Sequence, residues 1–507
     1  MAKGADSAPS PATAADAETD DIAALAKGGR TNILGFLLRL AARLPFLFIA
    51  GRWYGADVLG RFAYAVLVVE FAAQLATLGL KRGLAGALAQ TERPHSHVVT
   101  DAMILTLAAS LIASAALIAF PHAMFPNSGI NGLDRLLALT AIAVAVSDVA
   151  LAACAYRFDI GATVRARSII EPWAISIGAF AFAFYSTRDG LIMSYVVSMI
   201  AALVASIIPM TRHYGIPYGW RPDIGRLWRL ARRNLPLAAA DGVEWGSRRL
   251  DLAILGLFVG PATVGVYYVA QQVASLPQKL KTSFDPILGP VITRNLAEGN
   301  LAAIARQVSQ VGFWIIAAQA GIALALGIPG EAVMGLVGPH FVGGTGALAF
   351  LLAAEVVAAT AVVSESALVY LARHRNLMIS LAMIAVQAGL SFALILLAKS
   401  WDVSPLVIAA APALALCLAL AASSLIKARL LSSLLHAPVN AWRWALLLAA
   451  AGATVVGVAF VTLPAHLEWI ELVFGVPAIL AVYGYLIWRY GFGPDDRALF
   501  RKAPAAS

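Results

Sequence analysis

Charged side chains interrupt several of the longest apolar runs in this sequence, and any chemistry should centre on them. Arg39 and Arg43 lie within the run 33–54. They are four residues apart, so a helix puts them on one face. The run 236–258 carries Asp241, Glu244, Arg248, Arg249 and Asp251. At about 100° per residue, Asp241, Glu244, Arg248 and Asp251 fall within roughly 80° of arc. A charge at mid-bilayer costs about 2.5–3.5 kcal/mol on insertion scales. That stripe must therefore meet partners or a water-filled cavity, not lipid. The planar fork of arginine grips phosphate oxygens two at a time, so two arginines facing each other suit a diphosphate. The same four residues of the stripe could also neutralise one another as a structural network, and Arg39 is near enough to the inner surface to snorkel.

The elements that position these groups follow from composition. The 507-residue chain is 60% hydrophobic and 13% charged. Soluble domains are usually about 45–50% apolar and about 25% charged. This is an all-α polytopic membrane protein by that measure. Fourteen runs are long enough to cross a bilayer: 33–54, 58–80, 98–120, 134–156, 167–187, 190–211, 236–258, 263–285, 309–328, 345–370, 377–398, 404–426, 444–463 and 468–490. With both termini in the cytoplasm, 26 of the 37 lysines and arginines fall in inner segments and four in outer loops. That asymmetry is the positive-inside signal. It accounts for most of the net charge of +9, leaving little reason to read nucleic-acid binding into it. Residues 1–30 are rich in Ala, Ser, Pro and acidic groups and read as a disordered cytoplasmic tail, not a cleaved signal peptide. Cys154 and Cys417 both lie in apolar runs and read as buried hydrophobes; no disulfide framework or metal cluster is expected.

One turn occurs twice. Gly55–Phe62 reads GADVLGRF and Gly260–Tyr267 reads GPATVGVY, 205 positions later. Each sits at the outer turn between the first and second span of a group of six. Because an even number of spans separates them, both copies point the same way, a parallel repeat about an axis along the membrane normal. The expected organisation is an N-lobe at 31–211, a basic amphipathic cytoplasmic linker at 212–234, a C-lobe at 235–430, and two further spans with a cytoplasmic tail at 431–507. The linker's Leu227, Trp228 and Leu230 alternate with Arg226, Arg229, Arg232 and Arg233, which suits a helix on the inner leaflet. The offset of 205 also pairs Arg43 with Arg248 at equal depth, and places Lys279 and Lys281 opposite Gln74 and Ala76, at the cytoplasmic mouth of the same cavity.

WYGADVLGRFAYAVLVVEFAAQLATLGLKRGL resembles the second-helix region of Wzx-type oligosaccharide flippases in the multidrug/oligosaccharidyl-lipid/polysaccharide (MOP) exporter superfamily. LPLAAADGVEWGSRRLDLAILGLFVGPATVGVYYVAQQVASLPQKLK resembles the start of their second lobe, and FDPILGPVITRNLAEGN and LVGPHFVGGTGALAFLLAAE also fit. The resemblance covers roughly residues 30–430. It implies movement of a polyprenyl-diphosphate-linked oligosaccharide from the inner to the outer leaflet of a bacterial inner membrane. The substrate-binding candidates are then Arg43, Arg248, Arg39, Arg249, Lys279 and Lys281.

Glu70, Asp148, Glu355 and Glu365 sit alone in their spans and, with Asp241, Glu244 and Asp251, are candidates for coupling to protons or sodium. Glu171 reads as interfacial, and Trp245, Tyr267, Tyr268, Gln271 and Gln272 are candidates for sugar recognition. There is no phosphate loop for ATP, no HExxH and no nucleophile elbow. No cofactor is expected. The energy is expected from an ion gradient, the membrane potential or removal of product. Expected partners are membrane lipids, the lipid-linked oligosaccharide and the polysaccharide polymerase machinery, with the chain itself a monomer. Two alternatives share the superfamily, a peptidoglycan-precursor flippase and a multidrug/ion antiporter. A membrane polymerase or glycosyltransferase fits poorly, because every outer loop is short.

Overall fold

The computed structural model describes residues 44–281, 285–464, 468–494 and 496–497. Arg39 and Arg43 lie outside them. Lys279 and Lys281 lie on a described helix, but their side chains fall outside the described part. The described residues are helices joined by short turns, without strands. In chain order the main helices are α1 (Gly55–Ala76), α2 (Leu80–Ala89), α3 (His95–Ala119), α4 (Gly132–Tyr156), α5 (Glu171–Ala183), α6 (Gly190–Tyr214) and α7 (Ile224–Phe258). They continue as α8 (Pro261–Lys281), α9 (Leu301–Gly327), α10 (Thr345–Leu371), α11 (Arg373–Ser400), α12 (Pro405–Leu435), α13 (Trp444–Val461) and α14 (Val476–Leu486). Ten helical stretches among the described residues are long and apolar enough to cross a membrane. The stretch Leu44–Ala89 holds parts of two expected spans. The expected spans at α5, α7 and α8 are helical but fall outside those ten. In α7 and α8 the reason is polarity: charged and amide side chains occupy the middle of these helices.

The basic linker differs from expectation. From Ile224 onward it is no separate surface helix but the first part of α7, which runs 35 residues without a break. At 1.5 Å per residue that is about 52 Å, well beyond the hydrocarbon thickness. The Asp223 carboxylate starts the helix by accepting the Arg226 N–H. The non-helical part, before Asp223, is tied to the start of α3. Trp220 Nε1 donates to Asp101 Oδ1 at 2.8 Å, and Arg93 pairs with the other Asp101 oxygen at 2.9 Å. The linker is thus continuous with α7 and tied to the start of α3.

The lobes meet along α1, α7 and α8. Leu59, Phe62 and Val66 of α1 share one buried core with Leu252 and Leu255 of α7 and Val264 and Tyr267 of α8. At the end away from the basic loops, the repeated glycines face each other. A Cβ on Gly60 would strike the backbone carbonyl of Pro261 and the backbone N of Gly265; a Cβ on Gly265 would strike the carbonyl of Ala56. Ala56 and Pro261 are themselves 205 apart, so the contact is reciprocal, as a two-fold relation requires. Beside it, Asn127 from the N-lobe donates to Gly256 O at 2.8 Å and Val259 O at 3.0 Å, satisfying carbonyls at the end of α7.

The last two helices pack on α9, where Phe313 and Ile316 meet Leu446, Ile479 and Tyr483. Asp496 then fastens the chain end, accepting from Trp314 Nε1 at 2.9 Å and pairing with Arg443 at 2.6 Å. Burial works to raise that carboxyl, but Arg443 and the Gly493 N–H hold it below the usual carboxylate range. Large side chains such as Ile112, Phe184 and Val455 are left exposed on the outer helix faces, the belt that lipid would cover.

Gly60→Ala and Gly265→Ala should each destabilise the protein by about 1–3 kcal/mol, the usual cost of overpacking a rigid contact. Gly260→Ala should change little, because nothing lies within 4 Å of its Cβ position. Thermal unfolding of the purified variants in detergent checks this; equal transitions for all three would refute the backbone contact.

Candidate functional site

The charged stripe of α7 faces the other lobe. Arg82, on the N-lobe helix α2, is its principal partner. The Arg82 Nε lies 2.7 Å from Asp241 Oδ1, and an Nη of the same guanidinium is paired with Glu244 Oε2. Glu244 Oε1 in turn holds Arg248 Nη2 at 2.9 Å. One carboxylate therefore sits between guanidinia of opposite lobes. The Asp241 side chain is 1% exposed, whereas those of Glu244, Arg82 and Arg248 are 46%, 50% and 62% exposed. Backbone shape makes the approach of α2 feasible. Gly79 has φ +73°, a left-handed conformation that lets the chain turn sharply out of α1. Gly79 and Gly83 both lie against Asn234 of α7, where a Cβ would not fit.

Deeper in the seam, Arg249 points the other way around α7 and meets Glu70 of α1 at 3.3 Å. Tyr195 Oη also reaches Glu70, at 3.4 Å. The Trp245 ring stacks near Phe71 of the other lobe at 5.3 Å, and the Arg249 guanidinium lies 5.4 Å from the same indole. Glu70, Phe71, Arg82, Asp241, Glu244, Trp245, Arg248 and Arg249 thus form one polar and aromatic seam between the lobes.

Several sequence-based expectations change. Asp251 does not join the stripe. It is buried inside the C-lobe, accepting from Tyr267 Oη at 2.6 Å and from Gln271 Nε2 at 3.2 Å. Tyr267 is fully buried and Gln271 is engaged there, so neither is placed to read a sugar. Each of the four carboxylates expected to be alone has a partner. Glu70 has Arg249. Asp148 is paired with Lys81 at 3.0 Å and with Arg167, which also holds Glu171 at 2.7 Å. Glu365 is paired with Lys427 at 2.9 Å, and that ammonium also donates to Ser380. For these three, helix packing delivers a cation from a neighbouring helix, which offsets the cost of a charge in lowered solvation; at Glu365, itself 44% exposed, the buried member of the pair is Lys427. Glu355 lies on α10, half-buried, and also has an interaction partner. Among the described residues, no cluster of His, Cys, Asp or Glu could hold a metal ion.

Arg82 is the candidate site residue that sequence reasoning missed. Counted as one of the inner basic residues, it served only to orient the chain. The signal was the imbalance within the expected span 236–258, with three carboxylates against two arginines.

Comparisons with known proteins agree with this architecture. The model of a family described as polysaccharide biosynthesis protein matches residues 52–315, just over half of the chain. No curated protein matches the sequence. Among solved structures, the fold is similar to the lipid II flippase MurJ in an inward closed conformation, with TM-score 0.66 at 9% identity, covering 90% of this chain and 99% of that one. It is similar to an inward-facing multidrug resistance MATE family transporter of the MOP superfamily, with TM-score 0.58 at 13% identity, covering 79% and 98%. A Vibrio cholerae MATE transporter matches with TM-score 0.53 at 14% identity, covering 82% and 98%. The fold is shared with these flippase and transporter structures.

A double-mutant cycle on Glu70→Gln and Arg249→Gln should show a coupling of about 1 kcal/mol in thermal unfolding, the double variant being no worse than the worse single. Strict additivity would mean that the two side chains do not meet.

Proposed function

The chain belongs to the polysaccharide biosynthesis protein family, and within it we propose a Wzx-type flippase for a polyprenyl-diphosphate-linked oligosaccharide. The observation that carries this reading is the pair of half-exposed guanidinia, Arg82 and Arg248, that face each other from opposite lobes. A seam whose only task was to hold two lobes together would be served as well by apolar packing. Accessible arginines at a lobe interface suit a ligand with dense negative charge. Arg43, which the sequence offset of 205 pairs with Arg248, is the further cation this reading calls on, and Arg249 can join once it is freed from Glu70.

The work of such a protein is to carry a polar headgroup past hydrocarbon while the lipid tail stays in the bilayer. No covalent bond is made. The arginines replace the water that the diphosphate sheds, and the lobes rock so that the site faces first the cytoplasm and then the outside. Fourteen crossings with both termini in the cytoplasm of an inner membrane fit the distribution of basic loops. An inside-negative potential favours outward movement of the anion by about 2.3 kcal/mol per charge per 100 mV. The peptidoglycan-precursor and multidrug readings are the less favoured because the family match is to polysaccharide biosynthesis.

Arg43→Gln and Arg248→Gln, expressed at normal membrane levels, should each remove most cell-surface polysaccharide while lipid-linked precursor accumulates. Surface glycan and precursor are measured on the same cells. Unchanged surface glycan in both variants would mean that the arginines are structural and that this reading of the seam is wrong.

A further inference from the structure

The two carboxylates beside Arg82 are not equivalent. Asp241 is buried and holds the Nε edge of the guanidinium at 2.7 Å. Glu244, nearly one helical turn on, is half-exposed and takes an Nη of Arg82 with one oxygen and Arg248 Nη2 with the other. Asp241 is out of reach of a ligand. Glu244 is not, and exposed ion pairs are weak, typically about 0.2–1 kcal/mol.

We propose that Glu244 is a built-in stand-in for the diphosphate: it bridges Arg82 and Arg248 in the empty protein and is displaced by the ligand's two phosphoryl groups. The inference rests on the flippase reading and assigns a further specificity-determining residue to the same site. A carboxylate offers two oxygens and one negative charge. A diphosphate esterified at both ends offers four non-bridging oxygens and two charges, split between two phosphorus centres. Each phosphoryl group can then take one guanidinium fork bidentately, which Glu244 cannot do for both. Asp241 stays in place throughout and keeps the Arg82 fork turned towards the seam. Because Arg82 belongs to the N-lobe and Arg248 to the C-lobe, the ligand that replaces Glu244 ties the lobes to each other. A monophosphate has one centre and cannot serve both forks fully, so the arrangement selects for two linked phosphates.

The test uses the full-length protein in detergent with farnesyl diphosphate as probe and farnesyl monophosphate as control, affinity being read by calorimetry. Removing the competing charge with Glu244→Gln should tighten binding of the diphosphate by about fivefold, the scale of one exposed ion pair. Adding Arg82→Gln to that variant should abolish the gain, and the monophosphate should gain less. Glu244→Gln binding no tighter than the wild type overturns the proposal. If Arg248→Gln still loses the probe in that case, the flippase reading survives without it. Absence of diphosphate binding by the wild type and Glu244→Gln alike overturns both. Should Glu244→Gln fail to fold, Glu244→Asp carries the test. Its carboxylate is one methylene shorter and cannot reach both arginines, so it too should bind the diphosphate more tightly, and equal affinity would count against the proposal.

Discussion

A charge removed from bulk water has to be met by an opposite charge, and in this protein the stripe on α7 finds part of that pairing in the other lobe. Arg82 of the N-lobe meets Asp241 and Glu244 of the C-lobe, and Glu70 of the N-lobe meets Arg249. This requirement fixes how α1 and α2 lie on α7. It also explains why α7 can be so polar in a chain of mean hydropathy +0.80. On its charged side the helix meets Arg82 and Glu70 of the other half of the molecule. At the charged end of the seam the groups that part are ion pairs, which water or a charged ligand can meet.

The two ends of the seam are built differently, and the difference has a direction. Away from the basic loops the contact is backbone against backbone at Gly60 and Gly265, backed by Asn127 on the end of α7. Such a contact is close-packed and contains no charge that water could attract. At the basic end the contact is a set of half-exposed ion pairs. Water and salt already reach those groups, so parting them costs little beyond what screening has already removed. The basic end is the labile one, which is the end where a ligand made in the cytoplasm would enter.

The fold was legible in the sequence because it depends on periodicity and length. The repeat was legible for a more specific reason: only glycine permits two helix backbones to touch, so the same turn had to keep glycine in both copies. A third pair, Gly51 and Gly256, shares the offset of 205, and Gly256 is where Tyr64 packs across the seam. The site was legible only in part. The angular stripe on α7 grouped its charges, but helix geometry gives the direction of a side chain and not the identity of its neighbour. Asp251 shares the stripe by angle and yet turns to Tyr267 of its own lobe, because α8 crosses α7 at that level. Asp148 and Glu365 looked solitary for the same reason, their partners being 19 to 67 residues away in sequence.

Arg82 carries the same lesson in a sharper form. A basic residue just past the end of a span has two physical reasons to be there: it holds the chain's orientation in the membrane, and it can reach back to a carboxylate within the span. The first reason needs only that some lysine or arginine be present, and Lys81 alone would meet it. The second needs a planar fork at one position, because Nε and Nη serve Asp241 and Glu244 separately. Lys81, its neighbour, instead binds Asp148 within the N-lobe. Adjacent cations on one turn are therefore divided between holding a lobe together and holding the two lobes to each other. That division, and not the net charge of the loop, is what gives the basic end of this molecule its ion pairs both within the N-lobe and between the lobes.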